Sequence, residues 1–169
     1  MSALAPGTAP RAQRGTIHLE AGAILRHTAC AARQHILRIA APRTAAHATP
    51  GSFVHLRCDA SLPMRRPLSI MRAAPAAGWI EVLFKVVGAG TAALATRQAG
   101  ESLSLLGPIG QGFALHTARP RILAIGGGVG IPPLVFLAEQ MAAAAAGTWK
   151  PLVLMGSEIP FPFQARPSR

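Results

Sequence analysis

The sequence predicts a small antiparallel β barrel followed by the beginning of a parallel-sheet α/β unit. Short apolar runs separated by Gly and Pro turns recur from Thr16 to Gly107, which is the spacing of a small barrel. A continuous apolar strand, 121–125, then meets Gly126-Gly127-Gly128-Val129-Gly130, and a run of helix formers follows over 131–146. The segment 150–156 reads as the next strand, completing a strand, glycine turn, helix, strand unit of parallel type. Half of the 169 residues are apolar, enough for a real core and too many for global disorder.

The barrel elements can be taken in order. Residues 1–14 are rich in Ala, Pro, Gly and Arg without periodicity, and read as a flexible lead-in. Strands are predicted at 36–39, at 52–56 after the Pro50-Gly51 turn, and at 68–71. From Trp79 to Val87 the alternation is clearest: Ile80, Val82, Phe84 and Val86 share one face, with Glu81 and Lys85 on the other. One or two helical turns fit 91–97, and 102–106 is a further strand ending at Gly107-Pro108. Character changes at Arg119-Pro120, which sets a barrel unit at 15–117 and a second unit at 118–169. Pro132 and Pro133 fit a first helical turn.

Lys plus Arg is 17 and Asp plus Glu is 6, a net charge of +11. Such a chain favours anionic partners. The basic residues are nearly all Arg and are scattered, no Tyr is present, and Trp79 and Trp149 do not interleave with them. A stacking platform for single-stranded nucleic acid is poorly supported. The longest uncharged apolar stretch, 122–138, is interrupted by Gly and Pro and is a poor membrane span. The start of the chain lacks an apolar signal core. Cys30 and Cys58 form no C-x-x-C pattern and cannot by themselves hold zinc or an iron–sulfur cluster. These features read as a cytoplasmic protein. The six His have no metal-ligand spacing, and Ser61, Ser69 and Ser157 lie in no nucleophile-elbow pattern, so hydrolysis by a triad or by paired carboxylates is disfavoured. No catalytic acid or base is assigned.

Four segments carry binding chemistry. Gly126, Gly127, Gly128, Val129 and Gly130 can bring backbone N–H groups close to a phosphate at a helix start, or can simply pack a tight βα turn. In Arg65-Arg66-Pro67-Leu68-Ser69-Ile70, Arg66 can clamp a phosphate and Ser69 can donate a hydrogen bond, or the Arg pair can face solvent. Gly88-Ala89-Gly90-Thr91 can bind an anion or cap a short helix. The turn-rich 107–113 reads as an interdomain hinge.

In this order and spacing the segments resemble the ferredoxin reductase superfamily, and within it the electron transfer subunits of dihydroorotate dehydrogenases. PGSFVHLR at 50–57, RRPLSI at 65–70, VVGAGTAAL at 86–94, LLGPIGQGF at 105–113, ILAIGGGVGIPPLVFLAEQM at 122–141 and VLMGSEIPFPF at 153–163 carry the resemblance. It implies an FAD-binding barrel before an NAD-binding α/β domain, and a flavoprotein oxidoreductase passing electrons between a dihydroorotate dehydrogenase catalytic subunit and NAD in pyrimidine biosynthesis. Arg66 would hold the FAD pyrophosphate, with Pro67, Leu68 and Ser69 lining the isoalloxazine. Leu83, Phe84 and Lys85 would lie along the flavin, Gly90 and Thr91 would bind its phosphates, and the glycine run would approach NAD. The wider superfamily has Tyr where this chain has Leu68. The family's [2Fe–2S] cluster uses four Cys near its C-terminus, for which this sequence has no matching positions. That and the short α/β unit lead us to expect a C-terminally truncated chain, inactive alone in NAD-linked transfer. The rival readings are another flavin/NAD(P)H oxidoreductase subunit of the superfamily, and a basic barrel that binds nucleic acid without flavin.

Overall fold

The computed structural model describes residues 15–163; the predicted lead-in, 1–14, lies outside them. Six strands close an antiparallel barrel in the order β1-β2-β5-β4-β3-β6: β1 (His18–Cys30), β2 (Gln34–Ala40), β3 (Phe53–Leu56), β4 (Arg66–Ala74), β5 (Trp79–Lys85) and β6 (Ser102–Ile109). Closure removes exposed strand edges. The inward residues form one core, in which Leu37, Ile39, Val54, Leu56, Ile70, Ile80, Val82 and Leu105 are fully buried. Helix α1 (Pro42–His47) follows β2, and α2 (Ala89–Ala95) follows β5.

The predicted alternation on β5 holds, since Ile80, Val82, Phe84 and Val86 point inward. Glu81 lies on the opposite face yet is only 5% exposed. It sits between two arginines: Arg38 Nη2 is 2.9 Å from Glu81 Oε1 and Arg72 Nη1 is 3.1 Å from Oε2. The Arg38 guanidinium stacks over Trp79, 3.9 Å from the ring centroid. Burial of a carboxylate is tolerable only with such pairing.

Two elements were not legible. Strand β1 is thirteen residues long and pairs with both β6 and β2, with a register irregularity between Ile24 and Arg26. Its small residues blur the alternation. Gly22 allows the close crossing, because a Cβ there would collide with the Ala40 carbonyl. Helix α1 has Pro42 at its start, and its first amides are held by Glu20: Arg43 N–H at 3.0 Å and Thr44 N–H at 2.8 Å. The expected hinge at 107–113 is corrected in part, since Gly107 to Ile109 continue β6. Gly107 lies against Val54, whose Cγ1 would be 2.6 Å from an added Cβ.

Beyond the barrel, β7 (Arg121–Gly127) and β8 (Lys150–Gly156) pair in parallel, connected by a short 3-10 turn and helix α3 (Ile131–Ala143). The helix stops at Ala143, short of the predicted Ala146. Ala124, Leu134, Leu137 and Met141 bury one face of this pair, while Leu123, Ile125, Leu152 and Leu154 are exposed. Helix α3 also docks on the barrel through Ile131 and Val135 against Met71. Arg72 joins the two units, donating from Nε to Glu139 on α3 at 2.8 and 2.9 Å while it holds Glu81. No helix among the described residues is long and apolar enough to cross a membrane.

Candidate functional site

The start of β4 and the end of β5 lie at the same end of the barrel, because Ile70 pairs with Val82 in antiparallel register. Arg65 and Arg66 are neighbours in sequence and differ in what they do. Arg65 reaches across β3 and β6, donating from Nη1 to the Ser104 carbonyl at 2.9 Å and from Nη2 to Ser104 Oγ at 2.9 Å. Among the described residues Arg66 makes a single hydrogen bond, to the Met64 carbonyl at 3.3 Å. Most of its guanidinium donors are therefore open to a ligand, while Arg65 ties strands together.

The Arg66 side chain lies against the turn that opens α2. A Cβ on Gly90 would fall 2.7 Å from Arg66 Nε, so a larger residue there would push the Arg66 side chain from this position. Thr91 shapes the same turn. Its hydroxyl accepts from Val87 N–H at 3.0 Å and Gly88 N–H at 3.2 Å, and donates to the Gly88 carbonyl at 3.1 Å. With these three bonds the hydroxyl has no proton left for a ligand, so Thr91 fixes the turn. Thr91→Val leaves two N–H groups unpaired and is expected to cost about 1–3 kcal/mol, read as a lower denaturation midpoint, while Thr91→Ser retains most of the stability.

The remaining predicted positions divide. Pro67 is exposed, and Leu68 and Ser69 are half-buried on β4. Lys85 is exposed at the end of β5 and Leu83 is half-buried beside Met71 and Ile131. Phe84, expected along the flavin, has its side chain buried among the barrel core residues and stacked on His35 at 5.3 Å. Strand alternation forces this, because Val82 and Val86 share its inward face.

The glycine run sits at the β7–α3 turn, apart from Arg66 in sequence and in element. Gly126 packs under the helix, where a Cβ would be 2.6 Å from Leu134 Cδ1. Gly128 has φ +53°, a backbone conformation glycine adopts without strain. Val129 is 92% exposed. Pro132 and Pro133 lack N–H groups and the Ile131 N–H is bonded to the Gly128 carbonyl, so an anion here would be held by the amides of the glycine run itself.

Sequence reasoning passed over two histidines. A carbonyl only accepts, so His27 Nδ1–H donates to the Arg97 carbonyl at 2.6 Å, leaving Nε2 to accept from His35 Nδ1–H at 2.9 Å. Burial, and secondarily the nearby His27, lower the His35 pKa from 6.5. The unfolded chain thus binds the proton more readily, and this contribution to stability is present above pH 6.5 and lost as pH falls below it. Between pH 7 and pH 5 the native chain is expected to lose more thermal stability than His35→Gln, as melting curves at matched ionic strength would show. Cys30 and Cys58 are free thiols whose pKa values are raised by burial. No group of three or more His, Cys, Asp or Glu among the described residues can hold a metal ion.

No family model matches the chain. It is 40% identical over 104 residues to the electron transfer subunit of dihydroorotate dehydrogenase B (NAD(+)) of Desulforamulus reducens, a match covering 60% of this chain and 40% of that protein. The chain thus spans about two fifths of the length of the curated relatives it matches. An NADH-dependent reduced ferredoxin–NADP oxidoreductase superposes with a TM-score of 0.72 and 27% identity, covering 81% of this chain and 48% of that one. Phthalate dioxygenase reductase, described as modular for electron transfer from pyridine nucleotides to [2Fe–2S], shares the fold with a TM-score of 0.66 and 16% identity, covering 82% of this chain and 44% of its own.

Proposed function

We propose that this chain is an FAD-binding electron transfer protein of the ferredoxin reductase type, serving a dihydroorotate dehydrogenase catalytic subunit and NAD. The observation that carries the reading is the open Arg66 guanidinium held against the glycine turn at Gly90. This corner has the parts that a pyrophosphate needs: a cation with free donors and a backbone with no side chain in the way. The residues fit FAD on that ground, and the 40% identity to a dihydroorotate dehydrogenase electron transfer subunit supports such a catalytic subunit as the partner.

Within this reading Arg66 binds the pyrophosphate, Gly90 admits it, and Thr91 holds the turn in shape. Pro67, Leu68 and Ser69 border the isoalloxazine, with Leu83 and Lys85 along its edge, and Phe84 contributes through its backbone. When bound, the flavin supplies the redox chemistry, accepting and passing electrons. The side chains bind it, orient it and exclude water, which fits the lack of any acid–base constellation. Residues 15–117 form the FAD unit and 118–169 part of the NAD unit, with 126–130 at the pyridine nucleotide. The two free thiols fit a reducing compartment, the cytoplasm.

The test mixes the FAD-loaded chain anaerobically with a dihydroorotate dehydrogenase catalytic subunit and dihydroorotate. Loss of visible flavin absorbance that requires both is the expected result. Retained FAD with no bleaching would remove the dihydroorotate partner and leave another flavin/NAD(P)H oxidoreductase of the same fold.

A further inference from the structure

Across the outer face of the barrel runs a row of charged residues on four neighbouring strands: Arg26 on β1, Arg38 on β2, Glu81 on β5 and Arg72 on β4, each opposite the next in register. The row is unbalanced at one end. Arg26 stands directly opposite Arg38, and like charges in that position repel. Both Glu81 oxygens are engaged, Oε1 by Arg38 Nε and Nη2, and Oε2 by Arg72 Nη1. Arg26 has no ion pair among the described residues. Asp59 and Glu101 are held by Arg97, and Glu20 caps α1, so the nearest carboxylate in the row is already taken.

A groove of about 310 Å³ opens at this place, lined by Arg26, Thr28, Ile36, Arg38, Arg72, Glu81 and Pro162. Each of its uncommitted polar groups can donate, the two guanidinium groups only donating and the Thr28 hydroxyl able to do either. The Arg26 guanidinium and the Thr28 hydroxyl make no hydrogen bond among the described residues, and Arg38 Nη1 is likewise unused. Arg38 is fixed by Glu81 on one side and by the Trp79 ring beneath it, so its fork is ordered before any ligand arrives. Ile36 and Pro162 close the groove, and the segment bearing Pro162 is held by Gln34 Nε2–H donating to the Pro160 carbonyl at 2.8 Å.

We propose that this groove binds a small free oxyanion of phosphate size, bridging Arg26 and Arg38 and accepting from the Thr28 hydroxyl. An oxyanion there relieves the Arg26–Arg38 repulsion and offers acceptors to donors that otherwise face only water. A monovalent spherical anion lacks the several acceptor oxygens that match a guanidinium fork. The inference is independent of the flavin reading, since none of these residues belongs to the Arg66 and Gly90 site.

The test is calorimetric titration of the purified full chain with inorganic phosphate, with ionic strength held constant by sodium chloride. One saturable site is expected, weakened at least tenfold in Arg26→Gln, weakened a few-fold in Thr28→Val, and unchanged in Arg66→Ala. FAD content measured on the same samples stays at the native level in Arg26→Gln, which separates this site from the flavin site and reports that the variant is folded. Absence of saturable binding, equal binding by Arg26→Gln, or loss of binding in Arg66→Ala with retention in Arg26→Gln would each overturn the proposal. So would saturable binding of a short acidic peptide by a chain that ignores phosphate, because the face would then dock protein.

Discussion

Arg66→Ala is expected to weaken FAD binding by about 10- to 100-fold, the range for losing a charged hydrogen-bonding group, while the chain stays folded. The separation from its neighbour makes this prediction sharp. Arg66 has one weak internal hydrogen bond, so its removal disturbs little of the barrel. Arg65 donates to Ser104 and to the His55 carbonyl, so Arg65→Ala should lower stability first and alter FAD affinity less. Fluorescence titration with FAD alongside chemical denaturation of both variants checks the contrast. Equal losses of affinity would mean that charge at this end of the barrel matters more than the particular side chain. Gly90→Ala belongs to the same argument: its Cβ would press on Arg66 Nε, and affinity should fall although no charge is removed.

Glu81→Ala is expected to destabilise the chain by about 3 kcal/mol, with a Tm drop of roughly 6–12 °C. The carboxylate is almost wholly buried and holds two guanidinium groups, so its removal leaves Arg38 without a counter-charge and Arg72 with only the more exposed Glu139. Their side chains are 33% and 27% exposed, which lets water reach them and places the expected loss at the low end of the range for a broken buried pair. Glu81→Gln keeps the shape and an acceptor and should lose less. Because Arg72 also holds Glu139 on α3, the variant should loosen the contact between the barrel and the α/β unit. Faster amide exchange in α3 than in β2 would show it. A Glu81→Ala protein as stable as the native one would mean that Trp79 stacking and hydration suffice for the two arginines.

The barrel was legible where strands alternate strongly or are bounded by turn residues. The run Ile80, Val82, Phe84, Val86 gave β5, and Pro50-Gly51 gave the entry to β3. Strand β1 was hidden because Ala21, Gly22 and Ala23 carry little hydrophobic signal, and Gly22 is there for a close backbone crossing that only the paired strand reveals. Alternation placed Glu81 on the face opposite the apolar residues and cannot say what covers that face. Two arginines from adjacent strands do so, at sequence distances no local pattern connects. At the candidate site, RRPLSI marked the segment, and the division of labour between Arg65 and Arg66 needed the position of Ser104 on β6. For Phe84 the resemblance marked the strand, and parity along that strand places its ring among the core residues.

The central claim is that the barrel binds FAD at Arg66 and Gly90. Its most direct test is the visible absorption spectrum of the purified chain after incubation with FAD and removal of excess, with the released cofactor identified by mass. A flavin spectrum with close to one FAD per chain, lost in Arg66→Ala, is the predicted result. A folded, colourless chain that takes up no FAD would contradict it.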